Sequence, residues 1–146
     1  EPPENGSQIA DSTAITGEEK AYLEFVVGTM RTTSNDISTL GMLFSQPEFE
    51  DEGWRTNATI VLNRIERAHG AIVTLEPTER LQTFQDVSVR ALDHSGEFAR
   101  LIRAELVQGN AELTQDAADE LLAAAEAFGE AEFLLDQFLR EHEMPE

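Results

Sequence analysis

The chain contains no cysteine, which excludes disulfide staples, thiolate metal sites and cysteine nucleophiles together. Lysine is almost missing too: Lys20 is the single one, and arginine supplies the rest of the positive charge. Long hydrophobic runs are absent, and no segment approaches the ~20 apolar residues that span a bilayer. No stretch alternates with period two, so no strand is predicted. A Gly-rich phosphate loop, a Ser-His-Asp order and an EF-hand loop are all missing. No catalytic residue, metal or cofactor is therefore assigned from motifs.

Acid is what the chain has in excess. Asp plus Glu number 29 against 10 Lys plus Arg, for a formal net charge of -19. Such a surface repels nucleic acid and anionic headgroups, so nucleic acid is excluded as a partner and another protein or a small ligand is expected. A length of 146 residues fits one domain. A chain of this size hides about two-thirds of its unfolded surface on folding, enough for a core without cross-links. Residues 1–15 are rich in Pro, Gly, Ser and Glu with little to bury. They read as a disordered leader of the kind that remains after removal of an export signal or lipobox.

Beyond the leader the apolar spacing is helical throughout, and four helices are predicted at about 17–45, 52–75, 78–107 and 111–142. Thr16 and Glu19 form a capping box ahead of the first, whose core face reads Tyr22, Val26, Thr29, Thr33, Ile37, Leu40 and Phe44. Gln46-Pro47 ends it. The second opens on Glu48, Glu50, Asp51 and Glu52, which suit the positive end of a helix dipole. It then carries an unbroken heptad series of Trp54, Ala58, Val61, Ile65, Ala68, Ile72 and Leu75. The third places Phe84, Val87, Ala91, His94, Phe98 and Leu101 on one face, widened by Leu81, Leu92 and Ile102, and Gly109-Asn110 supplies its stop and a new cap for the fourth. The fourth places Ala117, Leu121, Ala124, Phe128, Ala131, Leu135 and Phe138. Short connections make neighbours antiparallel, so the fold class is all-α, an up-down-up-down four-helix bundle.

Few polar positions break this pattern. Glu66 and His69 spell the Glu-x-x-His half-motif of di-iron bundles. The heptad turns Glu66 outward and His69 to the flank, and the fourth helix offers no second motif. His94 takes a core position between Ala91 and Phe98. Matched heights put it level with Thr33 and within about a turn of Thr29 and Asp36. These four are expected to form a buried polar layer, either a satisfied network that fixes register or the lining of a small ligand pocket. Glycines interrupt every helix at Gly28, Gly41, Gly70, Gly96 and Gly129, and close helix approach is the expected reason. Phe44, Phe49 and Trp54 are expected to plug one end of the bundle, or to form a recognition patch.

In layout, with a polar leader, a first helix beginning EEKAYLEFV and a second ending LEP, the chain resembles uncharacterised exported helical-bundle proteins of bacteria, many of them predicted lipoproteins. The resemblance implies an extracytoplasmic bundle, lipid-anchored through a missing N-terminal segment, and carries no functional residue with it. Three roles follow for comparison with the structure: a non-enzymatic interaction or structural domain, a small-ligand or sensor-type bundle using the polar layer, and a ferritin-like metal protein.

Overall fold

The structure is a computed structural model that describes residues 14–142. Four helices account for most of it: α1 (Gly17–Ser45), α2 (Glu52–Ile72), α3 (Gln82–Val107) and α4 (Gln115–Glu141). Consecutive helices pack on one another in the predicted up-down-up-down bundle. Among the described residues no helix is long and apolar enough to cross a membrane. The expected leader lies outside the described residues up to position 13. Ile15, which was counted with it, is buried in the core with Leu23, Leu81 and Phe138.

Local chemistry sets the helix ends. Thr16 accepts from the Glu19 amide at 3.0 Å while the Glu19 carboxylate accepts from the Thr16 amide at 3.0 Å, the reciprocal cap expected for α1. Asp51 caps α2 through the Trp54 amide at 2.9 Å. The α3 helix closes on Gly109, whose φ of 71° lies in the left-handed region open to glycine. Three boundaries differ from expectation. α2 stops at Ile72 because the Gln85 side chain takes up the Ile72 carbonyl at 2.7 Å, and Pro77 bars a continuation. A short 3-10 turn, Glu79–Leu81, then leads into α3. α4 starts later than predicted because its cap is Thr114, which accepts from the Ala117 amide at 3.2 Å, and not Asn110, whose side chain accepts from the Glu112 amide at 3.0 Å ahead of the helix.

The core faces separate into two kinds. On α2 the heptad series from Trp54 to Ile72 is buried as predicted. On α1 and α3 the interior stripe lies to one side of the predicted one. Val26, Thr33 and Leu40 are shared, but Leu23 and Met30 are buried where Tyr22 and Thr29 were expected. Likewise Phe84, Val87, Ala91 and Phe98 are shared, with Leu92 and Ile102 buried beside them, but Ser88 and Ser95 are buried as well, and His94 and Leu101 fall to the flank. The aromatic plug forms as expected: Trp54 sits 5.3 Å from Phe44 and 5.3 Å from Phe49, ring centre to ring centre, and its indole N–H donates to the Leu43 carbonyl at 3.0 Å. Packing is densest between α3 and α4, where Ala91, Ala124, Ala127 and Ala131 are buried and their small size lets the backbones approach.

The glycines do not serve one purpose. Close approach holds at Gly96, where an added Cβ would lie 3.9 Å from the Glu66 backbone on α2. At Gly28, Gly41, Gly70 and Gly129 a Cβ would meet nothing within 4 Å, so close packing is not their reason. Open helical glycines lower helix propensity without a packing return. Replacing Gly41, Gly70 or Gly129 with alanine is expected to raise unfolding free energy by about 0.5–1 kcal/mol each. Urea unfolding followed by circular dichroism measures this, and a loss of stability at any of the three would show that the glycine is needed for local geometry.

Candidate functional site

Three of the four predicted site residues share one groove. Thr29, Thr33 and Asp36 line a depression of about 500 Å³ between α1 and α2, with Arg64, Arg67 and Ala68 on its far wall. Their polar atoms are already engaged. The Thr29 hydroxyl donates to the Phe25 carbonyl at 2.9 Å, and the Thr33 hydroxyl donates to the Thr29 carbonyl at 2.9 Å. Asp36 is buried and accepts a two-pronged bond from Arg64, Nε at 3.0 Å and Nη2 at 2.7 Å. Planar guanidinium matches carboxylate in this geometry, and it ties α1 to α2 at one height.

His94 is not part of that groove. Its Nδ1 lies 2.6 Å from Glu120 Oε2 on α4, and its side chain is 30% exposed. One residue along a helix is about 100° of rotation, so the burial of Ser95 carries His94 out of the interior and towards α4. The expected four-residue layer is therefore two separate pairings, one across α1 and α2 and one across α3 and α4. Glu66, from the Glu-x-x-His spelling, accepts from Arg103 Nε at 2.8 Å and serves as an α2–α3 link. Among the described residues no group of three or more His, Cys, Asp or Glu is placed to hold a metal ion.

The most concentrated polar chemistry lies at the end where α1 begins, and sequence reasoning saw only a cap there. Glu19 is 2% exposed. Beyond the Thr16 amide, its carboxylate accepts from Arg80 Nε at 2.8 Å, from Arg80 Nη2 at 2.5 Å and from the Thr78 hydroxyl at 2.5 Å. Arg80 also donates to the Ala14 carbonyl at 2.5 Å. Its guanidinium lies 5.4 Å over the Phe138 ring and 3.3 Å from His142 Nδ1. One ion pair thus joins the segment before α1, the α2–α3 connection and the end of α4. A second network stands beside it. The Tyr22 hydroxyl donates to Gln85 Oε1, and Gln85 in turn closes the end of α2. Burial, with the Asp86 charge second, pushes the Tyr22 phenol up. The readable signal for Glu19 was its phase: it precedes Leu23, Val26, Met30 and Thr33 by the 4-3-4-3 steps of the buried stripe.

The outward side of α4 carries a different surface. Leu122 and Phe133 are each 62% exposed. Ala125 and Gly129, both exposed, fall between them at steps of three, four and four, so all four share one side of the helix. Asp119, Glu126 and Glu130 stand exposed around them.

Comparison with protein families, curated proteins and solved structures finds no match to this chain.

Arg80 hydrogen bonds hold the Glu19 carboxyl down, from its ordinary 4.5 to about 2; burial opposes this, and the Thr16 amide and Thr78 hydroxyl add to it. A carboxyl depressed on folding stabilises the native state fully above its unfolded value, and that contribution is lost as pH falls through the folded value. Wild type is therefore expected to exceed Glu19→Gln in stability by about 3 kcal/mol near neutrality. That margin should shrink as pH falls from about 4.5 and vanish below about 2. Denaturant melts of both proteins across this range measure it, and a margin independent of pH would show that ionised Glu19 contributes nothing.

Proposed function

We propose that this chain is a non-enzymatic interaction domain that receives a basic amphipathic helix of a partner protein on the outer face of α4. The observation that carries the reading is the exposed strip of Leu122, Ala125, Gly129 and Phe133 bordered by acidic side chains. An outward helix face is ordinarily polar, and exposed apolar surface rimmed by charge marks contact sites. Ala125 and Gly129 leave a shallow trough between two apolar knobs, into which a facing helix can lay its own apolar side chains. The surrounding carboxylates, in a chain of net charge -19, favour lysine and arginine on the polar side of that helix.

The non-enzymatic part of the reading is supported by how the buried polar groups are used. Glu19, Asp36 and Gln85 each bond to groups of neighbouring segments and so act as connections within the fold. A location outside the cytoplasm belongs to the same proposal and rests on the layout that resembles exported helical-bundle proteins.

A synthetic helical peptide of leucine and lysine, labelled for fluorescence anisotropy, tests the face. Wild type is expected to bind it, and the double variant Leu122→Ser, Phe133→Ser to bind at least about tenfold more weakly, equivalent to about 1.4 kcal/mol. Since the double variant keeps the net charge, equal binding by both proteins would reduce the interaction to bulk electrostatics and refute the docking face.

A further inference from the structure

The bundle is not equally closed on its four sides. α2 packs on α1, α3 on α2 and α4 on α3, and α1 also reaches α3 across the interior. Between α1 and α4 a cleft of about 440 Å³ remains, within the range of about 300–1,000 Å³ that small-molecule sites occupy. The tight alanine contact of α4 with α3 accounts for the opening, because it draws α4 towards α3 and away from α1.

The cleft's chemistry is divided. Met30 and Phe84, both buried, and Phe128, half-buried, give it an apolar floor. Arg31 stands on the α1 wall with Asn35, and Glu132 stands on the α4 wall. The two charges are not paired with each other, and among the described residues neither makes an ion pair or hydrogen bond. Arg64, Arg80, Arg90, Arg100 and Arg103, by contrast, each hold a carboxylate.

We propose that the α1–α4 cleft binds a small apolar zwitterion, a free amino acid with an aromatic or branched side chain. Its side chain lies on the Met30, Phe84 and Phe128 floor. Its carboxylate meets the guanidinium of Arg31, which presents a fork of N–H donors. Its ammonium meets the carboxylate of Glu132. A ligand with one charge would leave the opposite wall facing it unmatched or repelling, so both ends are needed to complement the site. The site is separate from the outer face of α4, since Phe128 and Glu132 turn towards α1 while Leu122 and Phe133 turn outward.

Isothermal titration of the full chain with L-phenylalanine and L-leucine tests this, with 3-phenylpropionate and 2-phenylethylamine as the two half-charged probes. At least one amino acid should bind saturably, with each half-charged probe at least about tenfold weaker than L-phenylalanine or without detectable heat. Arg31→Gln should weaken amino-acid binding by about tenfold or more without weakening 2-phenylethylamine, and Glu132→Gln should weaken it without weakening 3-phenylpropionate. Both side chains are exposed, so neither change is expected to alter the circular dichroism spectrum. Failure of both amino acids to bind overturns the proposal. So does binding of a half-charged probe as tight as L-phenylalanine, or indifference of amino-acid binding to both substitutions.

Discussion

The carboxylate of Glu19 is the point to which one whole end of the bundle is tied. Four helices joined by short connections bring three chain segments together there: the approach to α1, the turn between α2 and α3, and the last turn of α4. Each presents groups that need a partner. Glu19 accepts from the Thr16 amide, the Thr78 hydroxyl and Arg80, and Arg80 carries the connection on to Ala14, Phe138 and His142. A buried carboxylate without such donors would be expensive. With them it stays ionised at low pH and specifies how the segments meet. Burial of Ile15 follows from the same arrangement, since its neighbour Ala14 is held by Arg80.

The remaining cross-links follow one rule. Asp36–Arg64 joins α1 to α2, Glu66–Arg103 joins α2 to α3, and Arg90–Glu130 with His94–Glu120 joins α3 to α4. Arginine supplies nearly every one of these bonds, which gives the scarcity of lysine a structural counterpart: a flat guanidinium reaches across a helix seam and holds two acceptors at once. Among the described residues the α1–α4 seam has no such pair, and a cleft remains along it. The unpaired charges Arg31 and Glu132 lie where the architecture leaves room.

How far this was legible in the sequence depended on how many neighbours each helix has to serve. α2 showed one heptad series, and that series is the buried one. The cap at Thr16, the stop at Gly109 and the plug around Trp54 were legible because each is decided by residues close in sequence. On α1, and on α3 beyond Val87, two series share every seventh residue and differ in the positions between. Periodicity alone cannot choose, because the choice depends on which side the neighbouring helices lie. Taking the wrong side placed His94 inside and left Ser95 unnoticed, and it counted Tyr22 and Thr29 where Leu23 and Met30 are buried. The same slip hid Glu19, whose phase is that of Leu23 and Val26. Thr33 and Asp36 were rightly singled out as polar residues turned inward, but their environment belongs to Arg64 on α2. No pattern within α1 reveals a partner 28 positions away.

A double-mutant cycle between Glu19 and Arg80, using Glu19→Gln, Arg80→Met and the pair together in urea unfolding at neutral pH, measures the coupling on which this end of the bundle rests. The two side chains are predicted to be coupled by about 2 kcal/mol or more, with the double variant less damaged than the sum of the singles. Additivity within about 0.5 kcal/mol would contradict the account and show that the two residues act independently.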